Sequence, residues 1–125
     1  MTTEPQEPRV VSVSREISAE PGRIFELIAD PAQQPSWDGN DNLAQAPAGQ
    51  RVRRAGEVFT MTLTRGMIRE NHVVEFEEGR RIAWRPAEPG QRPPGHLWRF
   101  ERARATTAGR LQASLDRLAA LAERS

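Results

Sequence analysis

Cysteine and tyrosine are absent from the 125-residue sequence, and each absence excludes a kind of chemistry. Without cysteine the chain has no disulfide, no thiol nucleophile and no thiolate ligand for a metal. The only two histidines lack close ligand spacing, so no metal site is predicted. The missing tyrosine removes a common catalytic acid. No nucleophile elbow, phosphate-binding glycine loop or dinucleotide fingerprint is present, so no cofactor is predicted.

Long apolar runs and a signal peptide are also missing, so we expect a cytoplasmic protein without membrane insertion. All 18 basic residues are arginine, a composition that could indicate contact with nucleic acid. The 17 acidic residues are interspersed among them, however, as in the segment EEGRR, and no basic block stands alone. The charge pattern therefore predicts a solvated surface and no nucleic-acid partner.

The length of the chain fits one domain that can bury a single core. The first eight residues, MTTEPQEP, are polar and contain two prolines, so residues 1–8 are predicted to be a disordered tail. Residues 9–125 are predicted to form the domain.

The last quarter of the chain, residues 101–125, predicts a long amphipathic helix. It contains no proline, and its apolar residues recur at helical spacing: Leu111, Leu115, Leu118 and Ala122. These residues would form one stripe along the helix. The helix must therefore lie on an apolar surface.

A second helix is predicted within SAEPGRIFELIADP. Pro21 suits its first turn, and the Asp30–Pro31 pair ends it. The following PAQQPSWD predicts a short helical turn that carries Trp37.

Strand-like alternation accounts for most of the remaining chain. Strands are predicted in residues 9–17, in a short edge segment around 42–46, and in EVFTMTLT, MIRENHVVEFEEG, RRIAWRP and HLWRFE. Both faces of the 67–77 strand mix apolar and polar residues, so the face that points inward is left open. The predicted architecture is of the α+β class, a curved antiparallel sheet of six strands folded around the C-terminal helix.

The order and spacing of these segments resemble the polyketide cyclase/dehydrase branch of the START-like, helix-grip superfamily. The resemblance is carried by residues 11–17 and by AEPGRIFELIADPAQQPSWDG, VVEFEEGRRIAW, GHLWRF and RLQASLDRLAAL. It implies a seven-stranded sheet that grips the C-terminal helix. It also implies a deep apolar cavity between sheet and helix for lipids, polyketides or other hydrophobic molecules.

One strand of the family, directly before the C-terminal helix, has no counterpart in the predicted elements, because Phe100–Glu101 runs straight into ERARATT. An omitted segment, a shortened protein and a strand donated by a partner chain would each explain the difference. The chain is therefore expected to be a monomer or a homodimer.

The resemblance also implies which residues line the cavity. The candidates are Trp37, Phe59, Met61, Leu63, Met67, Trp84, Trp98, Phe100, Leu111 and Leu115. Ordinary core packing is the alternative for these side chains.

His72 and His96 are the candidates for proton transfer, because histidine titrates near neutral pH. A histidine inside an apolar cavity could act as general base in an aldol cyclisation or dehydration, with Asn71 or an arginine polarising the carbonyl oxygen. The alternative for His72 is a position facing solvent.

The sequence leaves three functions open: a carrier of a small hydrophobic ligand, a polyketide cyclase or aromatase, and an interaction module resembling Hsp90 activators. A histidine that faces the cavity near an arginine would favour the enzyme, and a filled interior would favour the interaction module. We favour the carrier, because the sequence offers cavity-lining residues but no proton-transfer pair.

Overall fold

The computed structural model describes residues 12–13, 17–39, 42–101, 104–106 and 111–123, with side chains for 17–39, 42–101 and 113–123. The tail predicted for residues 1–8 lies outside these ranges. Within these ranges two helices, a 3₁₀ helix and seven strands follow one another in this order: β1 (Ser12–Val13), α1 (Pro21–Ala29), the 3₁₀ helix (Pro31–Ser36), β2 (Leu43–Gln45), β3 (Val58–Leu63), β4 (Ile68–Glu77), β5 (Arg81–Ala87), β6 (Trp98–Glu101), β7 (Arg104–Thr106) and α2 (Leu111–Glu123).

The strands form one antiparallel sheet in the order β1-β7-β6-β5-β4-β3-β2. The prediction of six strands is therefore wrong, because β7 lies between β6 and β1 and pairs with both. Thr106 lies opposite Arg99 on one side and opposite Ser12 on the other. The gap expected in the sheet is filled by the chain's own residues, and the prediction that the C-terminal helix begins near Glu101 is wrong as well. Arginine and alanine are good helix formers, but the two neighbouring strands determine the conformation here.

Helix α1 and the 3₁₀ helix are joined by side chains that bond to the last carbonyls of α1. Trp37 Nε1 donates to the Leu27 carbonyl at 2.7 Å, and Gln34 Nε2 donates to the Ile28 carbonyl at 3.1 Å. The last carbonyls of a helix accept no hydrogen bond from the helix's own N–H groups, so here buried side-chain donors bond to them instead. The contacts fix Trp37 beneath the sheet.

The inward face of β4 changes at a bulge. Val73 lies opposite Trp84 and Glu75 lies opposite Ala83, so β4 has one extra residue, Val74, between them. Asn71 and Val73 are buried on the inner face before the bulge. After it, Phe76 faces inward, where its ring lies 5.8 Å from the ring of Phe25. The face that carries Asn71 and Val73 therefore points inward before the bulge, and the opposite face, which carries Phe76, points inward after it.

The stripe of α2 packs into the core, where Leu115, Leu118 and Ala122 are buried together with Ala119. The Leu111 side chain lies outside the described residues. With α1 and the inner face of the sheet, Leu115, Leu118 and Ala122 form one apolar cluster, whose other members include Leu27, Phe59, Ile82 and Phe100. The curved antiparallel sheet and the C-terminal helix fit a helix-grip fold.

Arg51 ties α1 to the β4–β5 turn. Its guanidinium makes ion pairs with Glu26 and with Glu78 and lies over the ring of Phe25, 5.4 Å from the ring centroid. The two carboxylates hold the pKa of Arg51 above its ordinary value. The loop that precedes β3 is thereby held against the helical side of the core.

Candidate ligand cavity

A cavity of about 380 Å³ lies against the inner face of the sheet. Its walls come from the 3₁₀ helix, the residues that follow it, and β2 to β6 with the segment before β6: Gln34, Trp37, Asp38, Asn42, Leu43, Met61, Leu63, Arg69, Asn71, Trp84, Pro86, His96 and Trp98. The cavity was expected between the sheet and the C-terminal helix. The side chains described for α2 line no part of it, and the 3₁₀ helix provides the wall instead.

Strand alternation explains why the sheet residues of this cavity meet. Side chains two residues apart share a face of a strand, so each strand can supply the core at one end and the cavity at the other. On β4 and β5 the division is clear, since Val73 and Ile82 are core residues whereas Asn71 and Pro86 line the cavity. The inner face of the sheet is therefore divided between a filled part and an open part.

Trp37 and Trp84 belong to the apolar core and also line the cavity. They are 2% and 5% exposed, and their rings contact the core through Phe100 at centroid distances of 5.5 and 5.7 Å. Phe59 packs edge-on against Trp84 at 5.5 Å. Because these rings are held on their core side, they give the cavity a rigid apolar wall.

The segment after the 3₁₀ helix is fastened to α2. The Gly39 N–H donates to Ser114 Oγ at 2.8 Å, and Arg117 Nη1 donates to the Asp38 carbonyl at 2.8 Å. A Cβ at Gly39 would lie 2.6 Å from the Ser114 backbone nitrogen, so only glycine allows this approach. The helix thus supports the cavity wall from behind, and none of its described side chains lines the cavity.

Polar groups reach the cavity from three places. Asn71, only 5% exposed, lies on β4 two residues after Arg69, and Asp38 follows the 3₁₀ helix. His96 is the most exposed of the titratable lining residues, and its ring packs edge-on against Trp98 at 5.9 Å. Partial burial lowers the pKa of His96 below its ordinary value, so the imidazole is neutral at pH 7.

Nine of the ten residues predicted to line the cavity have described side chains, all except Leu111, and they fall into three groups. Trp37, Met61, Leu63, Trp84 and Trp98 lie in its wall. The second group packs in the core, beside the cavity rather than in its wall: Phe59, Phe100 and Leu115. Met67 lies in the β3–β4 turn with 49% of its surface exposed, because the turn carries it away from the inner face.

The candidates for proton transfer are separated by the sheet. His72 lies opposite Val58 and Arg85 on the outer face, whereas Asn71 and His96 line the cavity. A role for His72 inside the cavity is excluded by this placement.

Sequence reasoning missed several polar lining residues. Arg69 shares the Asn71 face of the 67–77 strand, so choosing the inward face would have identified it. Gln34 lies in the 3₁₀ helix and Asp38 follows it. Their place in the fold depends on contacts with α1 and α2, and no sequence pattern indicates those contacts.

The structure offers neither a membrane-spanning helix nor a metal cluster within its described ranges. Neither helix there is long and apolar enough to cross a bilayer. In the same ranges no three side chains of histidine, aspartate or glutamate are grouped so that they could hold a metal ion.

Comparison with solved structures finds this architecture in proteins of low sequence identity. The protein MLL2253 from Mesorhizobium loti superposes with a TM-score of 0.69 at 15% identity, over 94% of this chain and 98% of that chain. CV1439 from Chromobacterium violaceum superposes with a TM-score of 0.64 at 19% identity, over 93% of this chain and 99% of that chain. Ms6760 from Mycobacterium smegmatis superposes with a TM-score of 0.54 at 17% identity, over 90% of this chain and 89% of that chain. These likenesses show the fold.

Among curated proteins, none matches the chain significantly. A family model described as "Polyketide cyclase / dehydrase and lipid transport" matches residues 8–108, a range that contains all seven strands and the cavity. The chain therefore belongs to the polyketide cyclase/dehydrase and lipid transport family of the START-like superfamily.

Proposed function

We propose that the chain binds and carries a small hydrophobic molecule, a lipid, a polyketide or an aromatic compound, in the cavity beneath the sheet. The observation that carries the proposal is a preformed cavity of about 380 Å³ whose wall contains Trp37, Trp84 and Trp98. Small-molecule sites are typically concave and mostly apolar, with a few polar groups that orient the ligand. The family, which includes lipid transport, supports ligand binding in general.

Trp98 is the side chain that tests binding most directly. It lines the cavity, is only partly buried, and stacks on Phe100 at 6.2 Å without belonging to the closely packed centre of the core. Trp98→Ala is expected to weaken binding of the neutral fluorescent probe Nile red about tenfold, since about 1.4 kcal/mol of apolar contact is lost. Fluorescence titration measures the affinity, and far-UV circular dichroism measures whether the fold persists.

Met67→Ala is the matched control, because this apolar residue lies in an exposed turn outside the cavity wall. It should leave Nile red binding unchanged. If Trp98→Ala retained full affinity, or if both variants lost it equally, the cavity would not be the binding site.

A second function, a cyclase or aromatase acting on a poly-β-ketone, is favoured by one observation. His96 lines the cavity as a neutral imidazole, the form required of a general base, and Arg69 lines the same cavity. The base would take a proton from the carbon between two carbonyl groups, while Arg69 or Asn71 stabilises the enolate oxygen. The interaction module is the least supported function, since it would be favoured by a filled interior.

If the chain is such an enzyme, His96→Gln should lower the rate of cyclisation about a hundredfold, because general base catalysis contributes about that much. The measurement is conversion of a synthetic poly-β-ketone followed by chromatography. His72→Gln is the control, since His72 lies on the outer face and should not matter. An undiminished rate in His96→Gln would eliminate His96 as the base.

A further inference from the structure

Arg69 differs from the other partly buried arginines of the described chain in having no partner. Each of the others is engaged by protein oxygens: Arg51 by Glu26 and Glu78, Arg81 by Glu75 and Glu101, Arg99 by the same two carboxylates, and Arg85 by the Gly95 carbonyl. Within the ranges that the structure describes, no carboxylate lies within 4.0 Å of the Arg69 guanidinium, although the residue lines the cavity. A partly buried guanidinium is less screened by water than an exposed one, so an anion in the cavity would interact with it more strongly.

Arg69 is the charged residue among the cavity-lining residues that the strands supply: Leu43, Met61, Leu63, Asn71, Trp84, Pro86 and Trp98. Arg69 lies opposite Met61 of β3 in the sheet. Asn71, the next residue on the same face, lies opposite Pro86 of β5. Arg69 and Asn71 are two residues apart on the same face of β4, so their side chains stand side by side. Asn71 is only 5% exposed as a residue, and its side-chain amide offers two N–H donors beside the Arg69 guanidinium.

No acidic residue of the described ranges forms an ion pair with Arg69. Glu70 lies on the other face of β4, where its carboxylate accepts from the Gly90 N–H at 2.8 Å. Asp38 is the acidic residue of the cavity lining, and it lies in the segment after the 3₁₀ helix rather than in the sheet. His96 contributes no charge at pH 7. The guanidinium of Arg69 is therefore the charge that the sheet presents to a ligand.

Given the proposed function, on which this step rests, we infer that the ligand of this cavity is an amphipathic acid. Its carboxylate pairs with the Arg69 guanidinium and accepts from the Asn71 amide. Its hydrocarbon body lies against Met61, Trp84 and Trp98. Arginine is well suited to this role, because its planar fork of donors matches the two oxygens of a carboxylate.

The experiment compares two probes that have the same hydrocarbon chain and different head groups. Decanoate, ionised at pH 7.5, and the neutral 1-decanol displace Nile red from the purified protein, and their affinities are obtained from the displacement curves. The protein is expected to bind decanoate at least tenfold more tightly than 1-decanol. Arg69→Gln should remove that preference by weakening decanoate binding about tenfold, while 1-decanol binding stays within about twofold.

Arg65→Gln is the matched control, because Arg65 lies in the exposed β3–β4 turn and should leave both affinities unchanged. Equal binding of the two probes by the unaltered protein, or equal loss of both in Arg69→Gln, would overturn the inference and leave the proposed function standing. Failure of Nile red and of both probes to bind the unaltered protein would overturn the proposed function itself.

Discussion

Leu118→Asp is expected to leave the chain unfolded at 25 °C. Leu118 is 1% exposed in the middle of the buried stripe of α2. Removing the leucine costs about 3 kcal/mol of packing, and burying an unpaired carboxylate costs several kcal/mol more. The sum is comparable with the whole stability of a small domain, about 5–15 kcal/mol. Far-UV circular dichroism and thermal melting should show no cooperative transition.

Ala120→Asp is the control for this substitution. It introduces the same side chain into the same helix, two residues away, at an exposed position. Its melting temperature should lie close to that of the original protein. A cooperative, folded Leu118→Asp variant would contradict the packing of α2 against the sheet and α1.

Gly39→Ala should lower the melting temperature by about 10 °C, corresponding to about 3 kcal/mol of stability. The added Cβ would lie 2.6 Å from the Ser114 nitrogen and 2.7 Å from the Ala113 Cβ. Since one of these atoms is backbone, the contact is relieved only by moving α2 or the segment after the 3₁₀ helix. That movement would also break the bond between the Gly39 N–H and Ser114 Oγ. Differential scanning calorimetry measures the loss.

Gly22→Ala makes the same chemical change with the opposite expected sign. Gly22 lies in the first turn of α1, and a Cβ there would meet nothing within 4 Å. Alanine is the better helix former, so the melting temperature should stay the same or rise slightly. Should Gly39→Ala behave like Gly22→Ala, the close approach of this segment to α2 would be incorrect.

Elements with a strong local pattern could be predicted from the sequence. The stripe of Leu115, Leu118 and Ala122 is buried, and Pro21 and Asp30 bound α1 as expected. In these segments the residue type determines both the conformation and the side that packs, because one face is clearly more apolar than the other.

The last strand and the face of β4 could not be predicted, because long-range contacts decide them. Strand β7 is only three residues long and has no apolar face that would distinguish it from a helix start. Its conformation depends on the two strands that flank it. In β4 the extra residue Val74 reverses the alternation, and a sequence pattern of period two has no means of indicating the bulge.

The candidate site could be predicted in its aromatic part but not in its polar part. Trp84 and Trp98 follow from strand alternation, since both lie on regular inward faces. Arg69 could be predicted as a lining residue only if the inward face of β4 were known. The position of Asp38 depends on contacts between the segment after the 3₁₀ helix and α2. The proposed preference for an acidic ligand depends on such polar groups.

The pairing of β1 with β7 has a consequence for the order of folding. Ser12 and Thr106 are partners in the sheet although they are about 90 residues apart in the chain. During synthesis β1 emerges from the ribosome early and has no partner until β7 has followed it. Closing so long a loop is slow, so the first strand is expected to dock last, on a sheet already assembled from the strands between them.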